Sequence, residues 1–116
     1  MKLAVFGLGY VGCVSAACFA REGHEVIGVD INQEKVELIN HGKSPIVESG
    51  LEELITEGVN NNLIRATSDA AAAVEHADVV FICVGTPSNS NGSLDLTYVK
   101  RVCQDIGRAL ANKKGY

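Results

Sequence analysis

The chain has no cluster of lysines or arginines: ten Lys+Arg against fourteen Asp+Glu leave a net charge of −4 over 116 residues. That argues against a binder of nucleic-acid phosphates, whose affinity rests on a basic patch. No C-x-x-C pair joins the four cysteines, Cys13, Cys18, Cys83 and Cys103. Three of them fall in stretches that read as buried elements, so reduced thiols in a cytosolic protein are expected. His24, His41 and His76 share no metal-ligand spacing. Glu48, Glu52 and Glu53 form no acid–base pair, because a capping role accounts for Glu52 and a surface position for Glu53. Repeats, low-complexity tracts and internal domain boundaries are also missing. What remains is one domain's length of chain, 47% hydrophobic and 21% charged, a balance that excludes intrinsic disorder.

One long uncharged run is present. Residues 3–20 carry no charge behind Met1-Lys2. The run has the length of a loose membrane window, and Ala16-Ala17-Cys18 hints at a processing site. Gly7, Gly9 and Gly12 speak against both, since each removes about 1 kcal/mol of helix propensity. Their spacing also has an explanation of its own.

Residues 2–6, Lys-Leu-Ala-Val-Phe, form a short apolar run ending at glycine, which reads as a buried parallel strand. Residues 12–22 are rich in alanine and other small side chains and stop at Gly23, a natural helix stop. Residues 25–29 read as a second strand ending at Asp30. Asn32 is placed to cap a helix running to about Asn40. After a loop containing Pro45, Ser49-Gly50-Leu51-Glu52 fits a capping box with Ser49 as N-cap and Glu52 reaching back. The three asparagines 60–62 end that helix. Residues 63–66 suggest a weak strand, and Ser68 is a candidate cap for a helix over 70–74. Asp78 to Val84 is the most strongly apolar strand pattern. Residues 85–93 are a loop of turn formers. Asp95 is expected to cap a long helix with Leu96, Val99, Cys103, Ile106 and Leu110 as its apolar stripe. Lys113 and Lys114 suit its C-terminal end. The order β-α-β-α-α-β-α-β-α predicts an α/β fold: a Rossmann-like, doubly wound parallel sheet of about four strands with helices on both faces.

Gly7-Leu8-Gly9-Tyr10-Val11-Gly12 is G-x-G-x-x-G. It follows a predicted strand, opens a helix, and is answered by Asp30 at the end of the next strand, close to the spacing of about 20 residues that a dinucleotide fingerprint requires. Gly7 permits the tight turn, Gly9 lets a pyrophosphate approach the backbone, and Gly12 lets the helix pack on the strands. The helix N-terminus offers free N–H groups to the phosphates. A carboxylate at Asp30 accepts hydrogen bonds from both adenosine ribose hydroxyls and repels a 2′-phosphate, and no arginine directly follows it to receive that phosphate. NAD rather than NADP is therefore the expected cofactor. Lys35, one turn into the next helix, is left open between a ribose contact and a solvated lysine. Thr86 follows the last strand at the end where open α/β sheets bind ligands, although Gly85-Thr86-Pro87 also suits an ordinary turn.

Longer stretches are more specific than the fingerprint. Residues 6–12 (FGLGYVG), 23–30 (GHEVIGVD), 44–51 (SPIVESGL), 81–88 (FICVGTPS) and 91–96 (NGSLDL) together resemble the N-terminal NAD-binding domain of the UDP-glucose/GDP-mannose dehydrogenase family. The wording is closest to the GDP-mannose branch, and the resemblance runs the length of the chain. It implies a parent enzyme that oxidises a nucleotide sugar at C6, alcohol to acid, in two hydride transfers to NAD. It implies cofactor contacts at Tyr10, Val11, Asp30, Lys35 and Thr86. Ser49 departs from the family's usual proline before Gly-Leu, and either residue suits a helix start. The family's nucleophilic cysteine lies in a later domain, in a Cys-Leu-Pro-Lys-Asp setting that none of the four cysteines here shares, so no catalytic residue is assigned and this chain alone is expected to be inactive. The same resemblance implies a fragment lacking the central and C-terminal substrate and catalytic domains. A stand-alone NAD(H)-sensing module is the alternative. A missing neighbouring strand would leave residues 78–84 as an exposed apolar edge, prone to self-association.

Overall fold

The computed structural model describes residues 1–84 and 96–113. Nine elements follow in the expected order: β1 (Lys2–Phe6), α1 (Tyr10–Arg21), β2 (Glu25–Val29), α2 (Gln33–Asn40), α3 (Leu51–Asn60), β3 (Ile64–Thr67), α4 (Ala70–His76), β4 (Val79–Ile82) and α5 (Thr97–Asn112). The strands form one parallel sheet in the order β3-β2-β1-β4. The chain winds outward from β1 in one direction through β2 and β3, then crosses to β4 on the other side. That reversal places a crevice above the carboxyl ends of β1 and β4, where open α/β sheets bind ligands.

Both faces are covered. Val36, Ile39, Leu51, Ile55, Ala17 and Cys13 from α1, α2 and α3 pack with Leu8, Ile64 and Ala66. On the opposite face Ala73, Val74 and Ala109 from α4 and α5 pack on Ala4, Phe6, Ile27 and Val29. Burial on both sides explains why β1 and β2 read as unbroken apolar runs rather than alternating ones.

The helix ends show local rules at work. Glu22 closes α1. Gly23, at φ +92°, donates its N–H to Ala20 O, and His24 donates to Phe19 O. This pair of bonds is a Schellman motif. The same pair recurs after α2, from Gly42 and Lys43, and after α3, where Asn62 takes the left-handed position at φ 59°. Asn32 Oδ1 caps α2 by accepting from the N–H groups of Glu34 and Lys35.

Several local expectations need correction. The helix read from residue 12 begins at Tyr10. The capping box at Ser49 does not form. Gly50 is the N-cap of α3, in a left-handed conformation with no side-chain cap, and Glu52 Oε1 accepts from the backbone N–H of Ser44 instead. The loop after α2 folds back onto α3 and takes the carboxylate a capping box would use. Asp69, not Ser68, caps α4, accepting from the Ala72 N–H. Thr67 Oγ1 fixes the turn before it by accepting from the Asp69 N–H. The strand read as 78–84 is assigned over Val79–Ile82, with ladder bonds continuing at Asp78 and Cys83. It lies at the edge of the sheet formed by the described strands. Of the cysteines only Cys13 is fully buried; Cys18 and Cys83 are partly buried and Cys103 is exposed. The apolar stripe of α5 is displaced by about one position. Val102, Ile106 and Ala109 meet the core, whereas Leu96, Cys103 and Leu110 are exposed, because packing against α4 sets the helix rotation. The expected cap at Asp95 lies outside the described residues.

Candidate functional site

The turn from β1 to α1 is built from two glycines that admit no side chain. Gly7 sits at φ +103°, a region L side chains rarely adopt, and a Cβ there would meet the Cys83 carbonyl at 2.7 Å. Its own N–H donates to Val29 O at 2.8 Å. A Cβ on Gly12 would overlap the Gly7 carbonyl oxygen, so α1 rests directly on the turn that precedes it. Gly9 is different. A Cβ there would find nothing within 4 Å; it would project into open space. Gly9 is also the N-cap of α1 and offers no side chain to cap it. The N–H groups at Tyr10, Val11 and Gly12 therefore form the uncapped first turn. This contrasts with α2 and α4, which carry side-chain caps.

Asp30 ties this loop to β2. Its Oδ2 accepts from the Leu8 N–H at 2.8 Å and its Oδ1 from the Asn32 N–H at 2.9 Å. The other side of the same loop is held by Cys13, whose thiol donates to Leu8 O at 3.3 Å. The backbone N–H and carbonyl of Leu8 are thus both anchored, while the Leu8 side chain is buried at 1% exposure. Burial pushes the Cys13 thiol up to about 11, and the Cys83 thiol is raised for the same reason. A protonated Cys13 is what the bond to Leu8 O requires, and neither group is an activated thiolate at neutral pH.

A cleft of about 500 Å³ opens at the carboxyl ends of the strands, a volume in the range of cofactor pockets. It brings together Gly7, Gly9, Asp30 and Lys35 of the residues read from the sequence. Tyr10 and Val11 stand exposed just beyond Gly9, at 56% and 60%, and do not line it. Gly12 is buried beneath the turn as a packing residue. Thr86 lies outside the described residues. Lining groups that sequence reasoning did not single out for the site include Ile31 and Asn32 after β2, Ser68 and Ala70 at the start of α4, and Arg101 and Asp105 on α5. Ile31 and Asn32 were within reach, since both directly follow Asp30. Arg101 and Asp105 carried no local signal, because only the docking of α5 on α4 brings them there. Among the described residues no group of three potential metal ligands is gathered.

A dinucleotide fits these features. The space at Gly9 and the uncapped turn suit a pyrophosphate. A carboxylate has about four lone-pair positions, and Asp30 spends two on the backbone, leaving two for ribose hydroxyls. The fold and this site together define a Rossmann-like α/β domain suited to a dinucleotide. Residues 1–115 match the UDP-glucose/GDP-mannose dehydrogenase family, NAD binding domain, and the chain belongs to that family. It is 53% identical over 113 residues to GDP-mannose 6-dehydrogenase of Pseudomonas syringae pv. syringae, covering 97% of this chain and 26% of the relative. With UDP-glucose 6-dehydrogenase of Bacillus subtilis (strain 168) it shares 41% identity, over 97% of this chain and 24% of that one. A crystal structure of a ternary complex of GDP-mannose dehydrogenase from Pseudomonas aeruginosa superposes with a TM-score of 0.98 at 53% identity, covering 99% of this chain and 26% of that one. The chain thus spans about a quarter of the length of these relatives.

Proposed function

We propose that this chain is the cofactor-binding part of a nucleotide-sugar 6-dehydrogenase of the GDP-mannose or UDP-glucose type, whose C6 alcohol substrate is oxidised to the acid in two hydride transfers to NAD. The nicotinamide, when bound, supplies the hydride acceptor. This chain's residues bind and orient. The N–H groups at Tyr10 and Val11 face the pyrophosphate, with Gly7 and Gly12 holding the turn and Gly9 leaving room. Asp30 takes the adenosine ribose with Lys35 beside it, and Thr86, which follows β4 in the sequence, is the further contact. The observation that carries the reading is the bond from Leu8 N–H to Asp30 Oδ2: the residue that selects the ribose also fixes the loop that holds the phosphates. The sensing-module alternative has nothing in its favour, since the relatives are dehydrogenases.

The substrate and catalytic residues belong, on this reading, to central and C-terminal domains beyond this one domain, and this chain alone is inactive. A cytoplasmic location agrees with the unpaired cysteines, and among the described residues no helix is long and apolar enough to cross a membrane. The β4 edge, with Val79, Phe81 and Ile82 each 36–43% exposed, is a surface for self-association of this chain, because an unpaired apolar strand accepts another. Sedimentation velocity checks this: the coefficient rises with concentration and Ile82→Lys suppresses the rise, whereas a concentration-independent monomer contradicts it.

The test of the activity is expression of the whole open reading frame that encodes this chain, followed by assay with NAD and either GDP-mannose or UDP-glucose. The reading predicts two NADH formed per sugar oxidised with one of them. A reading frame ending after Tyr116, or no NADH from either sugar, overturns it.

A further inference from the structure

Arg101 is the lining residue that the proposed cofactor contacts leave unused. It lies on α5 one residue before Val102 and four before Asp105, and all three line the cleft. Val102 packs against the face that carries Ala73 and Val74 of α4, so α5 is rotated with Arg101 at the margin of the crevice. Ile31 and Ser68 line the same cleft, following β2 and β3. Asp30, the ribose-binding candidate, also follows β2, which makes this the adenosine end. The phosphate end lies at Gly7 and Gly9 beside β1.

Adenine is a flat π-system and binds best against another flat group. Among the described lining residues the one aromatic side chain is Phe6, and it is only 3% exposed. Ile31 is 70% exposed and offers an apolar plate. The facing plate has to come from elsewhere, and a guanidinium is planar, delocalised and weakly hydrated, so it stacks on aromatic faces where an ammonium does not. Arg101 is exposed. Among the described residues it has no hydrogen-bond or ion-pair partner, and Asp105, one turn on, is paired with Arg108 at 3.7 Å.

We propose that Arg101 closes the adenosine end of the cleft by stacking its guanidinium on the adenine face of the bound dinucleotide, opposite Ile31. The proposal rests on the reading of the cleft as the NAD site. It makes Arg101 a cofactor-affinity residue supplied by α5, separate from the glycine loop and from Asp30.

The test is fluorescence titration with NADH, and displacement of NADH by ADP, for the unchanged chain, Arg101→Lys and Arg101→Met. Circular dichroism confirms that each is folded. Both variants are expected to weaken NADH by about three- to tenfold, the range of a cation–π or stacking contact, and to weaken ADP by the same factor, since both ligands carry adenine. Three results overturn the proposal: Arg101→Lys binding as tightly as the unchanged chain, which makes Arg101 a simple charge; a loss for NADH without one for ADP, which places it at the nicotinamide half; or no loss in either variant. If the unchanged, folded chain binds no NADH, the NAD-site reading itself fails and the proposal falls with it.

Discussion

The two strands that flank the crevice are built in opposite ways. β1 is central, and Leu3 to Phe6 are at most 3% exposed. β4, its neighbour, is an edge strand whose Val79, Phe81 and Ile82 are 36–43% exposed. Beyond β1, the chain turns through Gly7 and Gly12, whose neighbours leave no room for a side chain, and Asp30 and Cys13 hold the N–H and the carbonyl of one residue, Leu8. Beyond β4, α5 is placed by side-chain packing on α4. The first region is specified by local backbone geometry and admits no side chain at Gly7 or Gly12. The second is specified by tertiary contact and has slack. On the proposed reading, precision is concentrated where a phosphate would meet the backbone, and the adenosine side is left to side chains.

Substitutions should separate the two regions. Gly12→Ala drives a methyl into the Gly7 carbonyl and is expected to cost about 3 kcal/mol or more in chemical denaturation, at the upper end of overpacking penalties, with loss of NADH binding. Asp30→Ala leaves the Leu8 N–H without its carboxylate. It should cost about 1–2 kcal/mol of stability, and NADH affinity should fall about 10- to 100-fold from the lost charge-assisted bonds. Gly9→Ala sharpens the contrast inside the loop itself. Its added methyl meets nothing in the protein, so stability should stay within about 0.5 kcal/mol while NADH titration shows weaker binding. Equal effects of Gly9→Ala and Gly12→Ala on stability would break the distinction between a packing glycine and a ligand glycine. On the edge, Ile82→Ala removes a half-exposed side chain and should cost about 1 kcal/mol or less.

A further expected effect is a pH dependence. The folded Cys13 thiol titrates at about 11 against an ordinary 9.0. A raised pKa means the folded state holds its proton longer, so this contribution is fully present below pH 9 and is lost as pH rises through 11. Unfolding free energy should fall across that window, and Cys13→Ala should remove that part of the slope.

What the sequence disclosed follows the same division. The glycine turn, the Asn32 cap and the stop at Gly23 each depend on residues within one or two turns of each other, and all appear in the structure, while Asp30 was legible through a fixed spacing from the glycines. The family-specific stretches are likewise contiguous. Misreadings cluster where the chain must touch something distant. The capping box at Ser49 failed because Glu52 is drawn to the Ser44 N–H across a loop. The α5 stripe was read one position off because α4, not periodicity, sets its rotation. Ser68 was named as the cap of α4 where Asp69 serves, because the two adjacent residues are both good caps. Arg101 and Asp105 were invisible as site residues for the reason that displaced the stripe: no local pattern says which face of α5 meets the cleft.

If the Gly7–Gly12 loop and Asp30 form one NAD site, fluorescence titration of the 116-residue chain with NADH and, separately, with NADPH will separate the two cofactors. Saturable NADH binding is expected, with NADPH at least about tenfold weaker, from repulsion between the Asp30 carboxylate and the 2′-phosphate. No saturable binding by a folded chain, or NADPH bound more tightly than NADH, would contradict the single-site reading.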